Sequence, residues 1–578
     1  MGDGGRLRIG LVACLLAAGA VFPPAAQANS DRTEEPVRSS SPISQVRESV
    51  VRVKVPLPAS VGAHPEACDW LSYLRFRHAD GPAESARADR ILIAQPGILE
   101  GAAAFDSVAR NTISEAAKRG EHIELWALDR RANCLEDHTG RLAGLAAGDV
   151  RLAVDYYYRQ KPLNGRTFDG YLRNEQLGWL QHVGLEQTVR DQYDLMVREL
   201  PDQRLRQQKV LCGGHSLGGV LAGFFAVWDF DGDHATSDDA GFNQCAGYFA
   251  LDTSISTSLS DLNGQAESVI PDPGIGYAAT QQALATGVMP RTISLPALIN
   301  AETMNVLGLA GLAAEVAPDA QSDLASYLEP NFNLETTLRL LFSKDLLTFA
   351  AGSPRVQDFR LTNETALGAL LDDHSQPLAF LQASVGFFDG GRIADKDFPM
   401  PHDFKRVPGL DPLTGQFGTA PTAIPDEPRG PLYTWRNYDR VGAPDDPNYL
   451  RRNGEPFTSA DKEVTDIREL ARSLAEHPLD FTEHYFPTKL ITDIYQKDSA
   501  AVSRDAVHTA GLTAHPTIQL LGGDSFVGGD ASADGTETVV CPGYQHLDVL
   551  TAAPTQNNGL HEPVSSNLAR FATSDLGT

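Results

Sequence analysis

Short apolar segments alternate with helix-like segments between residues 49 and 251, and this alternation constrains the fold more than any other feature. Ile91-Leu92-Ile93-Ala94 is wholly apolar and ends at Pro96-Gly97, as expected for a strand buried on both faces. Similar patterns predict further strands at 49–55, 70–77, 123–128, 209–212 and 248–251, and helices at 101–119, 185–200 and 217–228. Such a succession predicts an α/β fold with a mostly parallel sheet flanked by helices.

The alternation stops from residue 253 to residue 486. Residues 275–350 are apolar and helix-like, whereas 398–457 are crowded with Pro and Gly. A structureless loop of this length is improbable inside a compact domain, which favours a large, mainly helical and irregular folded insertion. The sheet pattern resumes at 515–521 and 538–540, and a last helix is expected at about 563–571. The predicted organisation is a signal peptide (1–28), a polar leader (29–47), a first core part (48–252), the insertion (253–486) and a second core part (487–578).

The N-terminus has the features of a signal peptide. Arg6 and Arg8 precede an apolar run over residues 9–22, and Ala26-Gln27-Ala28 forms a small-x-small cleavage site. We therefore predict cleavage after Ala28 and a secreted or periplasmic mature chain. The alternative is a lipoprotein anchored at Cys14, although the apolar run before Cys14 is short for a signal peptide. No later segment is long and apolar enough to predict stable membrane insertion.

Five cysteines remain after the predicted cleavage, and export would place them where disulfides form. The simplest arrangement is two disulfides and one free thiol, with the pairing left open: Cys68, Cys134, Cys212, Cys245 and Cys541. The cysteines and histidines show no zinc-binding spacing, so we expect neither a metal nor an organic cofactor.

The charge of the chain restricts its partners. Its 75 acidic and 48 basic residues give a formal net charge of −27. Such a surface repels phosphate backbones and anionic membranes, so we expect no nucleic-acid partner. The sequence leaves the oligomeric state open.

The strongest chemical signal is Gly214-His215-Ser216-Leu217-Gly218-Gly219, which lies between a predicted strand and a predicted helix. In a G-x-S-x-G turn, glycines let the backbone turn sharply and present the Ser hydroxyl at the helix N-terminus. The alternative is an ordinary Ser in a Gly-rich turn, but both flanking elements are of the kind that a nucleophile elbow requires. We therefore predict Ser216 as a nucleophile.

The motif resembles that of the α/β-hydrolase superfamily, in the G-H-S-L-G form of secreted bacterial esterases and lipases. The resemblance covers about 48–252 and 487–578. It implies a nucleophile, an acid and a His in this chain order, and often a cap that covers the nucleophile. The insertion starts where such a cap would, and its apolar helices could hold an apolar ligand or form only the cap's own core.

The resemblance implies a general base after the last strand, where the sequence has His546. It implies an acid after the penultimate strand, and Asp524 follows that strand. Asp252 is the alternative acid, because some superfamily members carry this residue one strand earlier. The acid's role is to orient the imidazole that takes the Ser216 proton.

An oxyanion hole needs two N–H groups. The resemblance implies Leu217, directly after the nucleophile, and a residue of Gln95-Pro96-Gly97-Ile98. Pro96 has no N–H, so Ile98 is favoured and Gly97 is second. The superfamily often has His-Gly at this position, where this chain has Pro-Gly. Asp129-Arg130-Arg131 follows the end of a predicted strand. These residues could line the site or pair charges at the sheet edge, and charge pairing is the favoured interpretation.

These features predict a serine hydrolase that cleaves carboxylic esters through an acyl-enzyme. The expected substrate is a small-molecule or lipid-like ester with an apolar acyl or alcohol part. An amidase, peptidase or acyltransferase could use the same residues, and a non-catalytic binding protein on a hydrolase scaffold is a less favoured alternative. Epoxide hydrolase or dehalogenase chemistry is disfavoured, because those superfamily members use Asp where this chain has Ser216.

Overall fold

The computed structural model describes residues 1, 31–261, 274–294, 299–329, 331–401, 417–442, 447–527 and 535–576. Most of the predicted signal peptide, including Cys14, lies outside the described residues. In the part of the chain that is described, no helix is long and apolar enough to cross a membrane.

A nine-stranded sheet forms the centre of the molecule. Its strands are β1 (Arg32–Val37), β2 (Val46–Lys54), β3 (Trp70–His78), β4 (Ile91–Gln95), β5 (Glu124–Asp129), β6 (Val210–His215), β7 (Gly247–Leu251), β13 (Thr517–Gly522) and β14 (Thr536–Cys541). They lie in the order β1-β2-β3-β5-β4-β6-β7-β13-β14. Neighbouring strands are parallel along the part β5-β4-β6-β7-β13-β14 of the sheet. They are antiparallel along the part β1-β2-β3-β5. The predicted mostly parallel sheet is confirmed.

Part of the predicted polar leader forms the edge strand β1. Its residues pair antiparallel with β2, from Arg32 opposite Val53 to Val37 opposite Glu48. Because the four central side chains of β1 are exposed, the strand has no apolar alternation that could reveal it in the sequence.

Helices flank the sheet and fill the insertion. Their bounds are α1 (Asp106–Lys118), α2 (Thr139–Ala147), α3 (Val150–Arg159), α4 (Leu185–Glu199), α5 (Gln203–Lys209), α6 (Leu217–Val227), α7 (Tyr277–Thr286), α8 (Ala301–Val316), α9 (Leu324–Tyr327), α10 (Phe332–Phe342), α11 (Leu346–Ala351), α12 (Asn363–Leu371), α13 (Ile467–Ala475), α14 (Thr488–Tyr495), α15 (Asp548–Thr551) and α16 (Pro563–Ala572). Helix α1 packs against α16 and β3, and α6 packs against α4 and β6. Helix α6 is apolar on all sides and fully buried, which fixes the element that follows Ser216.

The insertion between β7 and β13 contains helices and two small sheets. Its strands are β8 (Arg360–Leu361), β9 (Gly386–Asp389), β10 (Ile393–Asp395), β11 (Ala423–Pro425) and β12 (Leu432–Asn437), in the orders β8-β12-β9 and β10-β11. The apolar helix α8 is largely buried and packs against α12 and α13. Its apolar residues therefore belong mainly to the insertion's own core, which is continuous with the core of the large sheet.

Two disulfides join four of the five cysteines that lie within the described residues. Cys68 pairs with Cys134, and Cys212 pairs with Cys245. Cys541 is a buried free thiol, and burial raises its pKa. The predicted arrangement of two bridges and one free thiol is confirmed.

Candidate active site

Ser216 occupies a sharp turn between β6 and α6. Its backbone adopts φ 53° and ψ −122°, a combination that a residue with a side chain rarely takes. Close packing of the turn explains the neighbouring glycines. A Cβ at Gly214 or Gly218 would lie 2.4 Å or 2.0 Å from the carbonyl oxygen of Gln95, so no larger residue fits without moving β4. The turn has the geometry of a nucleophile elbow.

Backbone contacts link Ser216 to the end of β7. Its N–H donates to the carbonyl of Leu251 (3.1 Å), and its carbonyl accepts from the hydroxyl of Thr253 (2.6 Å). These bonds place the elbow beside Asp252, which lies between the two partners in sequence. The Ser216 residue as a whole is 6% exposed.

His546 is held by Asp252. Its Nδ1 lies 2.5 Å from Oδ2 of Asp252, and both side chains are buried. The Asp252 carboxylate also accepts from the Gly522 N–H (2.8 Å) and from the Ser525 hydroxyl. Because Nδ1–H donates to Asp252, the neutral ring carries its lone pair on Nε2, as a general base requires.

The expectation that Asp524 orients His546 is wrong in this geometry. The Asp524 carboxylate lies 3.5 Å from Nζ of Lys462, and its side chain is 36% exposed. After β13 the chain turns so that the Asp524 N–H donates to the Tyr544 carbonyl, while Ser525 supplies the hydroxyl that bonds Asp252. The carboxylate in the orienting position is the alternative, Asp252.

His215 and Glu100 form a second buried acid–histidine pair beside the elbow. His215 Nδ1 lies 2.7 Å from Oε1 of Glu100, and its Nε2 lies 3.0 Å from the carbonyl oxygen of His546. Burial alone would lower the pKa of His215, but the charge and hydrogen bond of Glu100 outweigh it and raise that pKa. Correspondingly, burial would raise the pKa of Glu100, but His215 lowers it. Because a carboxylate and a carbonyl oxygen both accept, His215 donates from its two ring nitrogens and ties Glu100 to the backbone of His546.

His215 also acts on the base. Burial, followed by the charge of His215, lowers the pKa of His546 below its usual value, against the opposing effect of Asp252. His546 is therefore neutral at neutral pH and can accept a proton. The aromatic ring of Phe526 lies 4.7 Å from the His546 ring and covers it.

The loop of residues 96–100 faces the elbow. The Gly97 N–H donates to Oε2 of Glu100 (2.6 Å), so it is already used. Within the described residues, the N–H groups of Ile98 and Leu217 donate no hydrogen bond. Of the two loop candidates, Ile98 therefore keeps an N–H available for a developing oxyanion.

Arg130 fixes the backbone of this loop. Its buried guanidinium donates to the carbonyls of Pro96 (2.8 Å), Gly97 and Glu100 (3.1 Å), and it pairs with Glu483 at 2.7 Å. Arg131 instead pairs with Asp191. Both arginines thus pair with carboxylates, as expected, and Arg130 in addition shapes the candidate site. The sequence signal for this role is the position of Arg130 directly after β5, at the sheet edge where the parallel strands end.

No protein family and no curated protein sequence matches this chain. Among solved structures, the peroxisomal alpha-beta-hydrolase Lpx1 from Saccharomyces cerevisiae is 10% identical, with 92% of this chain and 91% of that one covered and a TM-score of 0.30. An epoxide hydrolase from Vigna radiata is 11% identical, with 92% and 98% covered and a TM-score of 0.27. Epoxide hydrolase I from potato (Solanum tuberosum) is 10% identical, with 90% and 94% covered and a TM-score of 0.25. Such weak likenesses carry no argument about the reaction. The sheet and the elbow themselves give this chain its α/β-hydrolase fold.

Proposed function

We propose that this protein is a secreted serine hydrolase that cleaves carboxylic esters with an apolar acyl or alcohol part. The observation that carries the proposal is the buried His546–Asp252 pair beside the strained Ser216 elbow. A Ser, a neutral His and a carboxylate in this arrangement are the parts of nucleophilic acyl transfer.

In the proposed reaction, the Ser216 Oγ attacks the ester carbonyl while Nε2 of His546 takes its proton. The N–H groups of Leu217 and Ile98 stabilise the oxyanion, and Asp252 stabilises the imidazolium that forms. His546 then protonates the leaving alcohol. Water, activated by the same His, attacks the acyl-enzyme and releases the acid, which regenerates Ser216.

The insertion contacts the loop that faces Ser216. The Glu483 N–H donates to the Leu99 carbonyl, and the Thr482 hydroxyl donates to the carbonyl of Met304 on α8 (3.4 Å). Residues of the insertion therefore help to hold this loop, while the apolar substrate part remains a proposal for the ester assay to test. The two disulfides agree with an oxidising compartment, as secretion would require.

Amide cleavage, acyl transfer and epoxide hydrolysis are the rival reactions, and the residues of the site fit the first two better than the third. Amide cleavage and acyl transfer to an alcohol use the same three residues, so products must distinguish them. Two of the solved structures named above are epoxide hydrolases. In this superfamily that chemistry uses Asp as the nucleophile, and the corresponding elbow here holds Ser216.

The test is hydrolysis of p-nitrophenyl esters from acetate to palmitate by the mature wild-type protein, Ser216→Ala and Ser566→Ala. Ser566 lies on α16, away from the elbow, and serves as the matched control. We expect Ser216→Ala to lose at least about 10³-fold in kcat/KM and the control to keep its activity. Equal activity in Ser216→Ala would exclude the proposed nucleophile. A wild type inert on every ester would exclude the ester class, and the same assay with anilides and with an added alcohol separates amide cleavage and acyl transfer.

A further inference from the structure

Three chemistry-bearing side chains of the insertion converge at one buried place. Asp373, His374 and Glu463 are 5%, 2% and 1% exposed, and one donor atom of each lies within 4.8 Å of the others. The carboxyl of Asp372, next in sequence, is fully buried as well. The group brings three carboxyls and one imidazole into a volume that excludes water.

Several atoms of this group lack hydrogen bonds. Within the described residues, Oδ1 of Asp372, Oδ1 of Asp373 and Nε2 of His374 have no hydrogen-bond partner. An unsatisfied buried polar atom costs about 1–3 kcal/mol, and more if it is charged. Three such atoms in one place indicate that a partner of a different kind belongs among them.

The orientation of His374 shows what that partner must be. Its Nδ1 lies 2.9 Å from the Pro421 carbonyl oxygen, which can only accept, so Nδ1 carries a proton. Its Nε2 faces Oδ1 of Asp373 (3.3 Å) and Oε1 of Glu463 (3.5 Å). Two buried carboxylates that face one ring nitrogen require a cation between them, either a proton on Nε2 or a metal ion in its place.

The distances fit a metal ion better than a hydrogen bond. N–H···O bonds cluster near 2.9–3.0 Å, and these two separations are longer. Ligands about 2.0–2.2 Å from a tetrahedral Zn²⁺ lie about 3.3–3.6 Å from one another. A histidine that binds a metal commonly donates its other N–H to a backbone carbonyl, as His374 does to Pro421.

The remaining carboxylate oxygens are already oriented. Oδ2 of Asp373 accepts from Nε2 of Gln545 (2.9 Å), and Oε2 of Glu463 accepts from the Gly386 N–H (2.7 Å). The Thr458 hydroxyl donates to Oε1 of Glu463. Such outer contacts hold ligand side chains in place before an ion arrives.

A second buried cluster provides the contrast. Glu48, Asp106 and His477 also lie together, but Arg110 pairs with both carboxylates and Arg472 with Asp106. That cluster supplies its own cations. Within the described residues, no Arg or Lys forms an ion pair with Asp372, Asp373 or Glu463. His374 is the ion-pair partner of Asp373 and of Glu463.

We propose that Asp373, His374 and Glu463 bind a divalent transition-metal ion of the Zn²⁺ type, with Asp372 offering a further oxygen. An imidazole ligand favours such an ion over Ca²⁺. The ion joins the segment after α12 to the segment before α13, and Gln545 connects it to the loop that carries His546. Asp373 and His374 are adjacent, but Glu463 is remote in sequence, so no spacing motif reveals the set.

The first test is metal analysis of the mature protein, purified without chelators and without a His tag, by plasma mass spectrometry. We expect about one Zn²⁺-type ion per chain, and at least about tenfold less in His374→Gln and in Glu463→Gln. The controls His477→Gln, in the Arg-neutralised cluster, and His561→Gln, at the surface, keep the ion.

The second test keeps the proposal falsifiable if these variants fold poorly. Dipicolinate should lower the Tm of the wild type, and ZnCl₂ should restore it, while Co²⁺ in place of Zn²⁺ should give the visible absorption of a tetrahedral ion. A wild type that binds no metal and keeps the same Tm with ZnCl₂ or dipicolinate would overturn the proposal, because His374 would then hold only a proton. Ester hydrolysis is not a readout in either test.

Discussion

Nδ1 of His546 and Oδ2 of Asp252 lie 2.5 Å apart, although nearly three hundred residues separate them in the chain. Asp252 follows β7 directly, and its backbone has φ 45°, so the chain bends sharply as it leaves the sheet. The same carboxylate accepts from Gly522, the last residue of β13, and from Ser525 just after the strand, which fixes its orientation. Asp252 is thus shared between the ends of two neighbouring strands.

This geometry predicts different effects for two similar substitutions. Asp252→Asn should lower kcat by about 10⁴-fold, because an amide can donate to Nδ1 and stabilise the wrong His546 tautomer. Asp524→Asn should change kcat less than about twofold, because Asp524 pairs with Lys462 near the surface. Ester hydrolysis by both variants measures the difference. A large loss in Asp524→Asn with an active Asp252→Asn would reverse the assignment.

The choice between these two acids lies beyond sequence reasoning for a physical reason. Asp252 and Asp524 both follow parallel strands, so both are expected at the same edge of the sheet. The distance to His546 depends on how each loop turns after its strand, and the Ser525 and Gly522 contacts that set this turn join residues remote in sequence.

The activity should fall in acid with a midpoint below the ordinary His pKa of 6.5. Protonated His546 cannot take the Ser216 proton, and burial and the His215 cation lower the pKa of His546. In His215→Asn this cation is lost, so the acid limb of kcat/KM should move to higher pH. His561→Asn, at the exposed surface, is the control. A limb that stays in place or moves to lower pH would show that His215 does not act on the base.

The elbow should tolerate no Cβ at Gly218. Gly218→Ala would bring a methyl group within 2.0 Å of the Gln95 carbonyl oxygen, so the free energy of unfolding should fall by about 3 kcal/mol or more. Gly178→Ala meets no atom within 4 Å and should change it by less than about 1 kcal/mol. Urea denaturation compares the two. Equal stability of both variants would contradict the packing at the elbow.

The buried thiol predicts a simple titration. In the mature protein from residue 29, DTNB should detect no thiol in the native state, since Cys541 is 1% exposed and burial raises its pKa. In denaturant without reductant it should detect one thiol per chain, since the other four cysteines form disulfides. Three or five thiols in the denatured protein would show that one or both bridges had not formed.

The stability should depend on pH through His477. Burial alone would lower its pKa, but the charges of Glu48 and Asp106 raise it to about 9. Because the folded-state pKa is above the unfolded value, this contribution is fully present below about pH 6.5 and is lost as the pH rises through about 9. Relative to His477→Gln, the wild type should therefore lose up to about 3 kcal/mol of unfolding free energy across this window. Urea unfolding at pH 6 and pH 9.5 checks this, and an unchanged difference would contradict it.

The sequence allowed the strands and helices of the core to be predicted because each carries a local signal. The run Ile91–Ala94 is apolar enough to indicate a buried strand, and β4 indeed covers Ile91–Gln95. Strand β1 has no such signal, because its pairing with β2 and not its own composition makes it a strand. An ion pair of Arg130 with an acid could be expected from the sequence. Its three hydrogen bonds to the carbonyls of the 96–100 loop could not, because they depend on the conformation of that loop.

The bridge between Cys212 and Cys245 has a consequence for catalysis. Cys212 lies within β6, the strand that delivers Ser216, and Cys245 lies just before β7, the strand that delivers Asp252. A two-residue slip between these strands would shift one side chain past the other by about 7 Å. The covalent link forbids such a slip, so the bridge keeps Ser216 and Asp252, the proposed nucleophile and acid, in alignment. For the proposed secreted hydrolase, formation of this bridge and assembly of the active site would be a single event.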